Sequence, residues 1–106
     1  MHEPADPTTA PILEALRSVM DPELGVNVVD LGLVYGVQQY DDGDVYVTMT
    51  TTTPACPIGS FLEQQVRWAV MSIPGVGAVE VEVVHTPPWS PALMTDTARA
   101  TLGWSS

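Results

Sequence analysis

Thr50 to Ser60 reads T-T-T-T-P-A-C-P-I-G-S, and the rest of the chain is organised around it. It holds the only cysteine, Cys56, between Pro54 and Pro57. The residues before it alternate: Val45, Val47 and Met49 point one way along a strand, and Tyr46, Thr48 and Thr50 the other. The residues after it are apolar at helical spacing, through Phe61, Leu62, Val66, Ala69, Val70 and Ile73. The lone thiol is therefore expected on a strand-to-helix turn, beside a helix start. Unpaired N–H groups and positive partial charge gather at such a start and favour an anion, a thiolate included. Pro57 suits the first helical position, where its missing N–H would have no partner. Neighbouring carboxylates would act in the opposite sense on the thiol.

Working outward, the strand before the cysteine spans about 45–51. The turn signal Asp41-Asp42-Gly43-Asp44 joins it to an earlier strand over about 33–40. Upstream, Ile12, Leu13, Leu16, Val19 and Met20 fall at helical spacing and are expected to face the core. Thr8 or Thr9 can cap that helix, with Pro11 in its first turn, and Pro22 stops it at Asp21. Residues 26–32, V-N-V-V-D-L-G, are too dense in apolar side chains for a surface loop and lack a strand's alternation; they are expected to be a loop that packs inward.

On the other side of the cysteine, a helix over about 58–73 ends at Pro74-Gly75. A third strand follows over about 78–85, with Val79, Val81 and Val83 alternating against Glu80, Glu82 and Val84; the charged face should meet water. Three prolines around Trp89, in residues 86–91, cannot join a ladder. Thr95 caps a last helix that runs to Leu102 and stops at Gly103. The expected fold is a single small α/β domain of the α+β type over residues 9–103, in the order α-β-β-α-β-α. A three-stranded mixed sheet would carry its helices on one face. A flexible start over residues 1–8 and a tail over 104–106 flank it. Whether the third strand pairs beside the first or the second is left open.

Composition narrows the function classes. A chain of 106 residues, 45 % apolar, can build one core. Thirteen acidic residues face three arginines and no lysine, for a net charge of −10. Nucleic acid and anionic membrane surfaces need basic residues, so neither is an expected partner. A cation or a basic protein surface fits the charge, and so does solubility alone. One cysteine forms no intramolecular disulfide. The start Met1-His2-Glu3-Pro4 has no signal-peptide pattern, and no apolar run is long enough to span a bilayer. A reducing cytoplasm is the compartment expected from these features.

Asp21 to Tyr35, D-P-E-L-G-V-N-V-V-D-L-G-L-V-Y, resembles the signature of a family of iron–sulfur cluster assembly proteins. The family includes the SufT and PaaD-like proteins of the SUF type and the MMS-nineteen-interacting protein of eukaryotes. Thr52 to Pro57, T-T-P-A-C-P, is similar to its second signature. Pro74-Gly75-Val76, then P-P-W-S-P over 87–91, then Ala98-Arg99 and Leu102-Gly103 follow in the family's order. The resemblance covers residues 11–103. It implies a non-enzymatic role in delivering or maturing clusters, with Cys56 as the functional thiol and Asp21, Glu23, Thr52 and Thr53 as supporting residues. It implies iron or an iron–sulfur cluster, held transiently, as the cargo, and assembly proteins and client apoproteins as partners. PaaD proteins, which serve a phenylacetate ring-oxygenating system, carry further cysteines in a C-terminal extension. This sequence has Cys56 alone, which favours the shorter general version and leaves the accessory role as an alternative.

Each candidate also has a purely structural role. A lone cysteine is often an inert core residue. Asp21 and Glu23 can serve as a helix stop and a solvated turn, or can join Cys56 around ferrous iron or zinc. That mixture of hard and soft donors is not a usual structural zinc set. Thr52 and Thr53 can hydrogen-bond a sulfur or simply favour a strand end. A cluster generally takes four protein ligands, mostly cysteine. One chain supplies one, and a homodimer meeting at Cys56 would supply two, so a bound cluster is expected to be labile. Trp89 is expected first as an anchor for its proline segment and second as a partner contact. His85 is the only credible base for a thiol enzyme, a third class of reading, and is expected to be an ordinary strand-end residue; His2 carries no role. A metal-free adaptor that recruits clients remains the chief competitor of the cluster carrier.

Overall fold

The architecture described here is that of a computed structural model, which describes residues 10–22, 24–40, 42–52 and 59–103. Helix α1 spans Ala10–Leu16, strand β1 Val34–Gln39, strand β2 Val45–Met49, helix α2 Gly59–Met71, strand β3 Val79–Val83 and helix α3 Asp96–Leu102. A single 3-10 turn, Pro91–Leu93, precedes α3. The order is the one expected from sequence. The sheet is mixed and runs β1-β2-β3: β1 is antiparallel to β2, and β3 parallel to β2. The third strand thus pairs beside the second.

The alternation in β2 explains the layering. Val45, Val47 and Met49 are fully buried, and in register with them lie Val79, Val81 and Val83 of β3. Ile12 and Leu16 of α1 and Leu62, Val66 and Val70 of α2 join the same core. Burying such side chains supplies most of the folding drive, about 1.5–3 kcal/mol each. Gln38, Tyr46, Glu80 and Glu82 take the alternate register positions, on the other face. There the Tyr46 hydroxyl donates to Oε1 of Glu82.

The ends of the elements follow local chemistry. Gly43 turns the β1–β2 hairpin at φ 91°, a region that suits glycine, and its N–H donates to Tyr40 O at 3.0 Å. Thr95 caps α3, its Oγ1 accepting from the Ala98 N–H at 3.2 Å. Gly103 closes that helix in the left-handed region at φ 72°, as a helix-ending glycine commonly does.

Two linked expectations fail: the first helix does not run on to Asp21, and Met20 is displaced with it. Met20 does not face the core; it is 49 % exposed. The α-helix ends at Leu16, and the chain tightens through i→i+3 bonds, Ser18 N–H to Ala15 O and Val19 N–H to Leu16 O. It then pairs with residues 26–28: Met20 forms an antiparallel bridge with Asn27. Helical spacing no longer applies there, so Val19 stays buried while Met20 turns outward. Residues 26–32 do pack inward, with Val26, Val28 and Leu31 buried. No helix among the described residues is long and apolar enough to cross a membrane. The expectations for the start over 1–8, the tail over 104–106, the Thr8 or Thr9 cap and Pro57 at a helix start lie outside the described residues.

Candidate functional site

Two chain segments carry the expected site residues, and backbone hydrogen bonds stitch both into one layer. The Val28 N–H donates to Val19 O, the Leu33 N–H to Val28 O and the Thr50 N–H to Leu33 O, at 3.0, 3.0 and 2.8 Å. The loop that begins at Asp21 is thereby tied to the strand end that begins the threonine run. Buried backbone donors need such partners, and here they are found between irregular segments.

Asp21 lies inside this layer. It is 1 % exposed. Its N–H donates to Val26 O at 3.0 Å, its carbonyl accepts from Gly25 N–H at 2.7 Å, and Oδ1 accepts from the Leu24 N–H at 3.2 Å. A carboxylate taken out of water is costly unless hydrogen-bonded, and the Leu24 N–H supplies one such bond, so Asp21 holds its own turn closed. Thr50 and Thr51 are buried and Thr52 is half-buried. The sequence reading picked out Thr52 and Thr53; among the described residues of the run, Thr50 and Thr51 are more deeply buried than Thr52. Their signal was the run itself, since four consecutive threonines cannot all face solvent at the end of a half-buried strand.

Glu23, Thr53 and Cys56 lie outside the described residues. What frames them is described: β2 ends at Met49 and α2 begins at Gly59. Among the described residues no three His, Cys, Asp or Glu side chains gather where they could hold a metal ion. His85 lies two residues past the end of β3 and is exposed.

A second arrangement locks the same loop from the other side. Asn27 and Asp30 bond reciprocally: Nδ2 donates to Asp30 Oδ2 at 2.9 Å, and the Asp30 N–H donates to Asn27 Oδ1 at 2.9 Å. The Asp30 carbonyl accepts from the Thr95 N–H at 2.9 Å, which fastens the start of α3. The Trp89 indole donates to Leu31 O at 2.7 Å, and the Tyr35 hydroxyl to Pro87 O at 2.7 Å. The proline segment is therefore a strap across the loop, and Trp89, half-buried against the core, is its pin. The sequence reading missed the Asn27–Asp30 pair; the three-residue spacing of an Asn and an Asp in a loop was the available signal.

The family of iron–sulfur cluster assembly proteins matches residues 9–83 of this chain. A curated relative from Porphyromonas gingivalis, named an Fe-S protein maturation auxiliary factor, is 43 % identical over 97 residues, 92 % of this chain and 92 % of its own. The SufT maturation auxiliary factor of Staphylococcus aureus is 42 % identical over 87 residues, 82 % of this chain and 99 % of its own. Among solved structures, a domain of unknown function (DUF59) from Bacillus anthracis superposes with a TM-score of 0.84 at 39 % identity, covering 87 % of this chain and 88 % of that one.

Proposed function

Because the chain belongs to the family of iron–sulfur cluster assembly proteins, we propose that it is a non-enzymatic maturation factor that holds or transfers iron or a cluster through Cys56 and docks client apoproteins. The observation that carries this reading is the extent of the family match, which takes in both the Asp21 loop and the threonine–cysteine stretch. The relatives named maturation auxiliary factors support the general role. Counting ligands supports the mode of action. One thiolate per chain leaves a cluster short of the usual four ligands, and a cargo held that way is easily passed on. Asp21 is the supporting oxygen donor, Glu23 a second, and the threonine hydroxyls are donors toward sulfur.

The protein would be incubated anaerobically with ferrous iron and sulfide, desalted, and assayed for iron and visible absorption. Wild type is expected to retain both, and Cys56→Ser to lose them. Asp21→Asn should retain less iron than wild type if that carboxylate is a ligand. Wild-type protein that is folded and retains no iron would overturn the carrier reading.

A metal-free adaptor is the second reading. The observation favouring it is an apolar stripe on the outer side of α2, where Phe61, Trp68 and Met71 stand about half exposed.

A further inference from the structure

We propose that the cleft between residues 20–30 and α3 is a pocket for the guanidinium group of an arginine that a partner protein presents. The cleft has a volume of about 260 Å³. Sites for drug-sized ligands start at about 300 Å³, so this one has room for a single long side chain and not for a nucleotide or a folded segment. Met20, Val26 and Ala98 make its apolar walls, and Asn27, Asp30 and Thr101 its polar ones. The bridge to Asn27 that turns Met20 out of the core sets it in this wall. Met20 and Thr101 are exposed, so the cleft opens to solvent.

The chemistry of the walls selects the ligand. Asp30 is the charged residue among the described ones that line the cleft. Its N–H donates to Asn27 Oδ1, its Oδ2 accepts from Asn27 Nδ2, and its carbonyl accepts from the Thr95 N–H, each at 2.9 Å. The carboxylate is therefore fixed before a ligand arrives, which lowers the cost of binding. An amide oxygen would serve Asn27 equally well, so the lock on the loop does not use the charge. Among the described residues Asp30 Oδ1 has no hydrogen-bond partner. No arginine is left over to neutralise it: Arg17, Arg67 and Arg99 each meet a carboxylate three or four residues away, on Glu14, Glu63 and Asp96. The sequence has no lysine. On the opposite wall, Thr101 has spent its hydroxyl hydrogen on the Thr97 carbonyl at 2.9 Å, which leaves its oxygen as an acceptor. A ligand that is cationic, rich in donors and without acceptors answers both walls. Guanidinium is such a group: a planar fork of N–H donors, more weakly hydrated than an ammonium and so better suited to apolar walls. Its aliphatic stem would lie along Met20 and Val26. That the partner is a client apoprotein rests on the proposed function; the pocket itself does not, since it uses neither Cys56 nor a cargo.

The test uses the full chain labelled for amide NMR, with acetyl-arginine methylamide as the probe. Its citrulline counterpart keeps the shape and loses the charge, and propylguanidinium keeps the head and stem without a peptide backbone. The arginine compound should move the amides of residues 25–30 and 97–101, and the citrulline compound should not. Asp30→Asn keeps an oxygen for Asn27 and removes the charge. It should weaken binding about tenfold or more, the scale of a hydrogen bond to a charged group. Thr101→Val leaves the loop untouched and should weaken binding about two- to tenfold, the scale of a neutral hydrogen bond. Circular dichroism checks that both variants fold. Cys56→Ser should bind the arginine compound as wild type does, and Thr101→Val should retain iron as wild type does, so this proposal and the carrier reading fail separately. Equal binding of the citrulline compound, shifts that avoid the cleft, or folded variants that bind as wild type does would each overturn the pocket. Tighter binding of propylguanidinium than of the arginine compound would assign the pocket to a small free guanidine and overturn the protein partner.

Discussion

The core draws on two segments of different build. In β2, Val45, Val47 and Met49 are 2, 0 and 0 % exposed because a pleated strand aims every second side chain at the helices. In residues 26–33, Val26, Val28, Leu31 and Leu33 are 6, 0, 0 and 0 % exposed without any regular repeat. The strand shares its hydrogen bonds among two ladders, so no single contact decides its position. The loop depends on a few particular bonds, from Val28 to Val19, Leu33 to Val28 and Trp89 to Leu31. Burial without a ladder is therefore equally deep but less redundant, and the loop should be as costly to disturb as the strand.

The largest effect expected from this comparison is at Leu31. Leu31→Ala should cost about 2–5 kcal/mol, as a buried leucine in a well-packed core does, and should match Leu62→Ala on α2. Urea unfolding of both variants decides it. A Leu31 cost near that of ordinary surface substitutions, about 0.5 kcal/mol or less, would break the comparison.

Gly32→Ala comes next. A Cβ at Gly32 would stand 2.3 Å from the Leu93 carbonyl oxygen, and the residue sits at φ 77°. The backbone conformation alone costs about 1–3 kcal/mol for a residue other than glycine, and the 91–94 turn must also move. Gly36 in β1 is the control, since a Cβ there meets nothing within 4 Å. Gly36→Ala should leave the urea midpoint nearly unchanged.

These positions explain what could be read from the sequence. The element order was legible because Val45, Val47 and Met49, and the helical series through Leu62, Val66 and Val70, carry clear periods of two and 3.6. The Gly43 hairpin turn and the Thr95 cap were legible because their chemistry is local. Met20 was misplaced because a period was extended past the point where pairing with Asn27 replaced the helix. The Trp89–Leu31 contact spans 58 residues, and nothing local to either end encodes it. In the candidate site, the deep burial of Asp21 was equally hidden, because Asp21-Pro22 reads as an exposed helix stop unless the Val26 pairing is known.

Trp89→Phe should have a smaller effect than either core change. It keeps most of the packing and removes one hydrogen bond, for about 1 kcal/mol. Because the lost partner is the Leu31 carbonyl, hydrogen exchange should quicken in residues 27–33 before it quickens in β2. Uniform quickening across both segments would mean that the strap braces the whole core and not the loop in particular.

The smallest effect concerns the outer face of β2, where Tyr46 meets Glu82 of β3. The Tyr46 pKa is raised above its ordinary 10.0, first by the hydrogen bond to Glu82, then by loss of solvent and by the charges of Glu82 and Glu80. Ionisation removes the donor and sets a phenolate beside carboxylates. The neutral form is thus favoured in the folded state. Its contribution is fully present below pH 10.0 and is lost as the pH rises through the raised value. The phenolate absorbance of the folded protein should therefore show one tyrosine titrating late. Glu82→Gln keeps an acceptor and removes a charge, whereas Glu82→Ala removes both. With the hydrogen bond as the largest cause, Glu82→Ala should bring the titration down further than Glu82→Gln. Equal drops would assign the shift to charge alone and leave the two strands joined on this face by their backbone ladder only. In either case the urea midpoint at neutral pH should fall less than it does for Trp89→Phe, because the contact is exposed and the inner face, not this one, holds β2 in place.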